Sequence, residues 1–378
     1  MSAPVVAVVG GGQLARMMAP AATALGVHLR VLVESDTSSA AQVVVDAPVG
    51  GAADRDAVAA IAVGADVLTF EHEHVPYDLL DELAAEGVAV HPGTAALLHA
   101  QDKIVMRRRL TDLGVPCPVW TELPDVAALQ AFLAEHGEAV VKTSRGGYDG
   151  KGVRVVRAAD EVLDWFAAAD DGGAPLLAEQ KVPFARELAV LVARRPSGEL
   201  RTWPVVESIQ RDGVCSEVVA PAPDLDPAVA AQALDVATRV AEGLGVTGVL
   251  AVELFEVDGG VVVNELAMRP HNSGHWTIDG AVTSQFEQHL RAVLDLPLGD
   301  TSARAPWTVM ANVLGSTHDD LTDALADVLA SDPGAKVQLY GKDVRPGRKL
   351  GHVNVSGDDL ADVRRRALAA AAILRGDA

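Results

Sequence analysis

The sequence predicts a mixed α/β and α+β protein that begins with a parallel sheet and continues with antiparallel strands. Over roughly the first 100 residues, short apolar runs rich in Val alternate with helical segments, a pattern typical of parallel sheets. Later segments contain hairpin signals, such as an Asp-Gly-Gly turn between two apolar runs. The length of 378 residues suits two or three domains.

The N-terminal elements follow in order. Residues 4–9 (PVVAVV) predict a buried strand that ends in three glycines, and Gln13 to Leu25 predict a helix that is interrupted by Pro20. Further strands are predicted at residues 28–35, 65–71 and 87–92, with a helix over 77–86 between the last two.

The middle of the chain has a different pattern. Residues 102–114 predict a helix ending at Gly114, and a helix is also predicted over 226–244. The remaining segments predict strands, many of them antiparallel: two around a glycine-rich loop in 138–157, then 175–182, 186–195, 202–221 with a turn at Asp212-Gly213, and a hairpin over 248–268. The last 75 residues mix short strands with a final Ala-rich helix.

Composition excludes several classes of protein. The net charge of −21 argues against a nucleic-acid binder, which needs a basic face. Cys117 and Cys215 are not spaced for a disulfide framework or a metal site. No basic segment precedes an apolar run at the N-terminus, and no 18-residue stretch is apolar throughout. We therefore expect a cytoplasmic protein without membrane contacts.

The segment GGGQLA, residues 10–15, leaves two interpretations open. Gly10, Gly12 and Ala15 fit the dinucleotide fingerprint, and Glu34 lies near the position of a ribose-binding acid. A nicotinamide-dependent dehydrogenase is therefore a rival hypothesis. The motif alone is weak, because a glycine-rich turn at a helix N-terminus accepts many phosphate or sugar groups.

The segment KTSRGGYDGKG, residues 142–152, predicts a phosphate-binding loop. Its glycines allow backbone N–H groups to face a polyphosphate, and Lys142 and Lys151 supply positive charge. The alternative is an ordinary hairpin loop. The Gly-Lys-Ser/Thr ending of a Walker loop is missing.

The hairpin over residues 252–269 predicts a cation site. A loop at Asp258-Gly259-Gly260 places Glu253 directly opposite Glu265 on one face. Facing carboxylates repel, and a Mg²⁺ ion held with phosphate oxygens removes that conflict. The alternative is one solvated and one structural glutamate.

Three polar segments complete the candidate residues. RPHNSGHWT, residues 269–277, is typical of a ligand-binding loop. Zinc at His271 and His275 is disfavoured because Pro270 and Gly274 break the helix that would align them.

YGKDVRPGRKLGH, residues 340–352, concentrates basic side chains in an acidic chain and predicts a phosphate site, with a solvated charge run as the alternative. FEHEHVP, residues 70–76, lacks the spacing of a helical zinc motif.

Taken together, these segments resemble the ATP-grasp superfamily, and most closely its N5-carboxyaminoimidazole ribonucleotide synthase family. They stand in the family's order over nearly the whole chain. The resemblance implies an ATP-grasp fold: an N-terminal Rossmann-like (pre-ATP-grasp) domain over 1–105, an ATP-grasp domain over 106–300 with a small central lid at about 120–182, and a C-terminal domain over 301–378. It also implies a homodimer.

The resemblance further implies the reaction and its cofactors. ATP, bicarbonate and aminoimidazole ribonucleotide would give ADP, phosphate and the N5-carboxylated ribonucleotide through carboxyphosphate. ATP and Mg²⁺, or Mn²⁺, would be required, and all partners would be small molecules.

Site residues are carried over from the family by position. Glu253 and Glu265 would hold the metal. The ATP-binding residues would be Lys103, Lys142, Gly146, Gly147, Tyr148, Gly150, Lys151, Gly152, Glu179, Gln180, Lys181, Val182, Glu187, Gln210, Asn264 and Glu265. The ribonucleotide would contact Gln13, Leu14, Glu71 or Glu73, Tyr148, Asp149, Arg269, Lys342, Arg348 and Lys349. The catalytic group would be Asp149, which orients or deprotonates the amine, with Arg269, His271 and Asn272 around bicarbonate.

Two positions depart from the family: Lys103 stands where relatives often have Arg, and Gln210 stands where some have His. Other hypotheses stay open. A formate-dependent ribonucleotide transformylase or a biotin-carboxylase-like enzyme shares the ATP motifs, and an inactive nucleotide-binding protein of the same fold is disfavoured by the intact Glu253, Glu265 and Asp149.

Overall fold

The computed structural model describes residues 3–146, 152–211 and 213–377. The predicted loop residues Gly147, Tyr148, Asp149, Gly150 and Lys151 lie outside the described residues, as does Asp212 of the predicted turn.

The N-terminal part is built on a small parallel sheet. Its elements are β1 (Val5–Val9), α1 (Gln13–Leu25), β2 (His28–Leu32), α2 (Arg55–Ala62), β3 (Val67–Phe70), α3 (Tyr77–Ala85) and α4 (Thr94–Gln101). The strand order is β2-β1-β3, with all pairs parallel. The sheet forms because β1 and β3 are almost entirely buried and carry apolar side chains on both faces, with Thr69 as the one polar exception.

Two N-terminal predictions need correction. The predicted strand over 87–92 is reduced to a single bridge between Leu68 and Val90. Pro92 has no N–H to donate, so it cannot extend a sheet ladder. Helix α1 passes through Pro20 without being interrupted there.

A second, four-stranded sheet follows α5 (Lys103–Asp112). Its elements are β4 (Trp120–Leu123), α6 (Val126–His136), β5 (Ala139–Thr143), β6 (Val153–Val156), α7 (Leu163–Asp170) and β7 (Leu176–Gln180), together with a 3₁₀ turn at Ala159–Val162. The strand order is β4-β7-β5-β6, and all pairs are antiparallel. Leu129, Phe132 and Phe166 from the helices pack on Val141 and Ala178 of the sheet.

The remaining described strands form one nine-stranded antiparallel sheet. Its elements, with the helices between them, are β8 (Arg186–Arg194), β9 (Leu200–Thr202), β10 (Val206–Arg211), β11 (Val214–Ala220), α8 (Pro227–Gly243), β12 (Gly248–Val257), β13 (Gly260–Ala267), a 3₁₀ turn (Asn272–Gly274), α9 (Thr277–Gly280), α10 (Gln285–Val293), β14 (Trp307–Leu314), a 3₁₀ turn (Leu321–Ala324), α11 (Leu325–Ser331), β15 (Lys336–Leu339), β16 (Lys349–Gly357) and α12 (Leu360–Arg375).

The strand order of this sheet is β13-β12-β8-β10-β11-β14-β16-β15, with β9 beside β8. The C-terminal strands β14, β15 and β16 therefore continue the same sheet as β8 to β13. The sheet runs across the predicted boundary near residue 300, and the bounds of the three predicted domains stay predictions.

The hairpin of β12 and β13 places Glu253 directly opposite Glu265, as predicted. The turn and the strand pairing that produce this register differ from the prediction. The turn has two residues, Asp258 and Gly259, both with positive φ, as type I′ turns require. A bulge between Glu253 and Leu254 shifts the register by one, and Asn264 is the extra residue on β13.

Within the described ranges, no helix combines the length and the apolarity needed to cross a bilayer.

Candidate active site

One large cleft gathers residues from the four-stranded sheet, the nine-stranded sheet and the N-terminal segments that follow β1 and β3. Its volume is 1490 Å³. Gly152 is described but does not line it. The other predicted site residues that the structure describes all line it: Gln13, Leu14, Glu71, Glu73, Lys103, Lys142, Gly146, Glu179, Gln180, Lys181, Val182, Glu187, Gln210, Glu253, Asn264, Glu265, Arg269, His271, Asn272, Lys342, Arg348 and Lys349.

The glycine-rich turn before α1 is already occupied by a carboxylate of the protein. Glu71 accepts hydrogen bonds from the backbone N–H of Gly12 and, at 3.1 Å, from that of Ala15. A Cβ on Gly12 would lie 2.3 Å from a carboxylate oxygen of Glu71, and one on Gly10 would lie 2.6 Å from its Cγ. Burial raises the pKa of Glu71, and the two N–H groups oppose that rise. The glycines therefore make room for Glu71, which takes the position that a dinucleotide phosphate would need.

Lys142 is held by a buried ion-pair network. Its ammonium lies 2.8 Å from Glu179, which in turn accepts from the guanidinium of Arg107 at 2.7 Å. Burial alone would raise the pKa of Glu179, but Arg107 and Lys142 outweigh it and lower the pKa to about 2. Lys142 also lies 3.4 Å from the side-chain oxygen of Asn264. The carboxylate of Glu179 therefore positions Lys142. That Glu179 lies beside the adenine stays a prediction.

Arg107 is a site residue that the sequence analysis missed. It is fully buried and also donates to the backbone carbonyl of Asn264 at 2.7 Å, so it joins α5 to the hairpin. A signal was present: Arg107 lies three residues after Ile104 and three before Leu110, on the buried face of α5. A charged residue on an apolar helix face needs a partner of opposite charge.

The negative charges of Glu253 and Glu265 are balanced much more weakly by neighbouring cations. His271 lies 3.4 Å from Glu253, and Lys103 lies 3.9 Å from Glu265. Burial, then the charges of Glu265 and Glu187, raise the pKa of Glu253 to about 8, although nearby cations oppose the rise. His271 adds no positive charge, because burial and the same cations hold its pKa well below the usual value. Two hard oxygen ligands with an excess of negative charge fit a Mg²⁺ ion.

The loop from Arg269 to His275 brings further polar groups to the carboxylate pair. Arg269 is fixed by Glu73, with 2.9 Å between the guanidinium and a carboxylate oxygen. The other oxygen of Glu73 is buried and has no hydrogen-bond partner among the described residues. Of the two candidate acids, Glu73 therefore keeps an unused acceptor, whereas Glu71 uses both oxygens on backbone N–H groups.

The basic C-terminal segment joins the N-terminal turn at the other end of the cleft. Lys342 donates to the side-chain oxygen of Gln13, and Gln42 donates to the backbone carbonyl of Gly341 at 2.7 Å. Arg348 donates to the carbonyl of Asp343 at 3.0 Å, which orients it within its own segment. Residues that lie 299 and 329 positions apart in the chain thus form one surface.

The opposite end of the cleft has apolar walls between the four-stranded and nine-stranded sheets. Phe184 and Phe255 stack there with ring centroids 4.5 Å apart. Glu187 also lines the cleft; burial raises its pKa, and a hydrogen bond from Gln210 opposes the rise. The sequence analysis did not single out the two phenylalanines, because they are distant in the chain and only the fold brings them together. The other apolar side chains of this wall are Met106, Val140, Val153, Val155 and Leu266.

Comparison with known families covers most of the chain. Residues 4–101 match the ribonucleotide synthetase preATP-grasp domain, residues 108–286 match the ATP-grasp domain, and residues 308–366 match the phosphoribosylaminoimidazole carboxylase C-terminal domain.

Individual relatives agree with these matches. The N5-carboxyaminoimidazole ribonucleotide synthase of Mycobacterium bovis is 54% identical over 374 residues, which cover 98% of this chain and 87% of the relative. The crystal structure of the synthetase from Thermus thermophilus superposes with a TM-score of 0.87 at 38% identity, covering 98% of both chains. The structure of the Aspergillus clavatus synthase in complex with ADP and 5-aminoimidazole ribonucleotide gives a TM-score of 0.89 at 32% identity and covers 99% of both chains.

Proposed function

The chain belongs to the N5-carboxyaminoimidazole ribonucleotide synthase family of ATP-grasp ligases, and we propose how the residues of its cleft divide the work. The protein is an ATP-dependent enzyme of purine biosynthesis. It carboxylates 5-aminoimidazole ribonucleotide to N5-carboxyaminoimidazole ribonucleotide. The observation that supports the proposed division is the cleft itself, which joins an apolar end, a carboxylate pair and a basic end.

We place ATP at the apolar end of the cleft. The adenine would lie among the apolar side chains near Val182, with its ribose beside Glu187. Lys142 would contact the phosphates, since Glu179, which is itself paired with Arg107, holds its ammonium in place at the cleft. The loop from Gly146 to Gly152 would cover the phosphates; its central residues lie outside the described ranges.

Glu253 and Glu265 would hold Mg²⁺, with Asn264 beside them. The raised pKa of Glu253 supports this fit, because burial and the charges of Glu265 and Glu187 disfavour its ionised form more than the nearby cations favour it. When bound, the ion would neutralise these carboxylates and the anionic oxygens that gather as ATP and bicarbonate react. Lys103 is near enough to Glu265, at 3.9 Å, to add a positive charge to the same region.

Arg269, His271 and Asn272 would surround bicarbonate and the carboxyphosphate made from it. The fixed guanidinium of Arg269 would stabilise the negative charge that develops, and a neutral His271 would hydrogen-bond without adding charge. Carboxyphosphate is labile in water, so a loop that closes over this point would protect it.

The ribonucleotide would occupy the remaining end. Lys342, Arg348 and Lys349 would bind its 5′-phosphate, and Gln13 and Leu14 would contact the ribose side. Glu73 is the better of the two acids for contact with the substrate, because one of its oxygens has no hydrogen-bond partner in the part of the chain that the structure describes. Asp149, with Tyr148, remains our candidate for orienting or deprotonating the amine. A homodimer and a cytoplasmic location also stay predictions.

The test is ADP release from ATP, Mg²⁺ and bicarbonate, with and without aminoimidazole ribonucleotide. We expect strong stimulation by the ribonucleotide and a requirement for bicarbonate. Turnover with formate in place of bicarbonate, or with another acceptor of the acyl group, would keep the fold and reject the substrate. Binding of NAD(H) without ATP turnover would revive the dehydrogenase hypothesis, against which the position of Glu71 at the glycine-rich turn argues.

A further inference from the structure

The side chain of Gln285 lies directly behind the loop that carries Arg269, His271 and Asn272. Gln285 is the first residue of α10 and is fully buried. Its amide oxygen accepts from the backbone N–H of His271 at 2.8 Å, and its amide nitrogen donates to the backbone carbonyl of the same residue, also at 2.8 Å. One side chain therefore satisfies both backbone groups of His271.

The same amide group reaches a second histidine of the loop. Its nitrogen lies 2.9 Å from Nδ1 of His275. An amide nitrogen has two N–H donors, so His271 and His275 together use both. In that arrangement Nδ1 of His275 accepts and the ring is neutral. Burial, which lowers the pKa of His275 well below its usual value, favours the same state.

The loop is tied to α10 at a second point. The backbone N–H of Gln285 donates to the hydroxyl of Thr277 at 2.9 Å, and that hydroxyl donates to the carbonyl of Gly274 at 2.6 Å. A Cβ on Gly274 would lie 2.3 Å from the amide oxygen of Gln285. Residue 274 must therefore be glycine for the loop to approach the amide so closely.

Helix α10 is a rigid base for this contact. Ser284 caps it by accepting from the backbone N–H of Glu287 at 3.1 Å. Phe286 and Leu290 are buried in the core that the helix shares with α1. The position of the Gln285 amide is thus set by the core and not by the cleft.

We propose that Gln285 is a positioning residue for the carboxylation step: its amide holds the backbone of His271, and with it the side chains of His271 and Asn272, in the orientation that the reaction needs. The inference rests on the proposed function, since it assigns those side chains to bicarbonate. Gln285 does not itself line the cleft that the described residues form, so it acts through the loop.

The same helix provides a matched control. Gln288 is also fully buried, and its amide brackets a backbone in the same way: it donates to the carbonyl of Gly299 at 3.0 Å and accepts from its N–H at 2.7 Å. Both of these hydrogen bonds lead away from the loop at Arg269–His275. Replacing either glutamine with Met removes a pair of hydrogen bonds to one backbone residue at nearly constant volume, and Gln285→Met also removes the bond to His275.

The experiment compares Gln285→Met with Gln288→Met in the full-length protein. We expect Gln285→Met to lower kcat by roughly 10- to 100-fold, because a displacement of about 1 Å in a reacting group costs that much. Its KM for ATP should stay within about twofold of the wild-type value, since the nucleotide end is untouched. Gln288→Met should lose similar thermal stability and keep its kcat within about twofold.

A double-mutant cycle with His271→Ala separates positioning from general destabilisation. If Gln285 acts through His271, adding Gln285→Met to His271→Ala should reduce kcat by much less than it does in the wild type. Equal kcat losses from both glutamine variants, or losses that multiply fully in the cycle, would overturn the proposal.

A second variant covers the case in which Gln285→Met does not fold. Gln285→Glu keeps the shape and the acceptor but lacks both donors, and it should show the same selective loss of kcat. If neither variant folds while Gln288→Met does, Gln285 is required for folding and the positioning role is rejected. Absence of ribonucleotide-stimulated turnover in the wild-type protein would instead reject the proposed function.

Discussion

Two glutamates that line one cleft have their pKa values shifted in opposite directions. Glu179 lies near the end of β7 in the four-stranded sheet, and Glu253 lies in the hairpin of β12 and β13. Arg107 and Lys142 outweigh burial and lower the pKa of Glu179 to about 2. Burial and neighbouring carboxylates raise the pKa of Glu253 to about 8. The residue type is the same, and the neighbouring charges make the difference.

The carboxylates of this cleft perform two different tasks. A carboxylate compensated by the protein's own cations is part of the fold, and it positions those cations. A carboxylate that the protein does not fully compensate costs free energy until a ligand arrives, so it marks the place where a cation binds. Four predictions test this distinction, ordered by the free energy that we expect each change to involve.

The first prediction concerns Glu179→Gln. The change leaves Arg107 and Lys142 buried without a compensating charge, so we expect the free energy of unfolding to fall by about 3–5 kcal/mol. Urea denaturation at pH 7 measures it. Glu122→Gln is the control: Glu122 pairs with Arg108 on the exposed side of neighbouring β4, and its loss should cost less than about 1 kcal/mol. Equal losses in both variants would contradict our account of Glu179.

The destabilisation of Glu179→Gln should also depend on pH. The pKa of Glu179 is lowered from 4.5 to about 2 in the folded protein. Its ionised form therefore stabilises the fold fully above the unfolded-state pKa of 4.5, and this contribution disappears as the pH falls towards 2. The difference in unfolding free energy between wild type and variant should shrink over that range.

The second prediction is that Glu265→Gln lowers turnover by at least about a hundredfold, as for the loss of a strongly charge-stabilising group. The fold should persist, because the change removes repulsion within the hairpin. Glu256→Gln is the matched control on β12: Glu256 pairs with Arg186 at 2.6 Å and does not line the cleft. It should keep near-normal turnover. A Glu265→Gln enzyme with normal turnover would remove this residue from the metal site.

The third prediction concerns metal removal. With ADP present, Mg²⁺ should stabilise the wild-type protein by about 2.7 kcal/mol at a hundredfold excess over the dissociation constant, and its Tm should rise accordingly. A chelator should reverse the shift. Glu253→Gln should lose the Mg²⁺-dependent part and, in chelator, should be at least as stable as the wild type. A full Mg²⁺ response in Glu253→Gln would mean that the ion binds elsewhere.

The fold could be predicted where local pattern determines it, whereas most residues of the cleft were named from the resemblance to the family. Alternating strands and helices identified the N-terminal sheet, and the Asp-Gly signal located the hairpin. The register of Glu253 opposite Glu265 was correct although the loop was assigned three residues, because a bulge at Asn264 restored what the shorter turn had shifted. Turn length and bulge compensate each other here, and sequence alone does not reveal either one.

What could not be predicted depends on contacts between distant segments. The glycines of residues 10–12 suggested a dinucleotide, but Gly12 contacts Glu71, which lies 59 positions away. Arg107 has its partner on β7, and the two phenylalanines of the apolar end meet only in the folded structure. Such pairings follow from the three-dimensional fold, so a single sequence shows at most one of the two partners as unusual.

The fourth prediction, which has the smallest expected effect, concerns the cation Lys342. Lys342 already hydrogen-bonds to Gln13, as Lys142 is held by Glu179, so it should bind the ribonucleotide phosphate from a prepared position. Lys342→Ala should mainly raise the KM for the ribonucleotide, by roughly tenfold, or about 1.4 kcal/mol. Arg345→Ala is the control: Arg345 pairs with the exposed Asp343 and does not line the cleft, so its loss should leave this KM unchanged. If the two variants behave alike, the basic segment acts by its general charge, and the contact of Lys342 with Gln13 is structural.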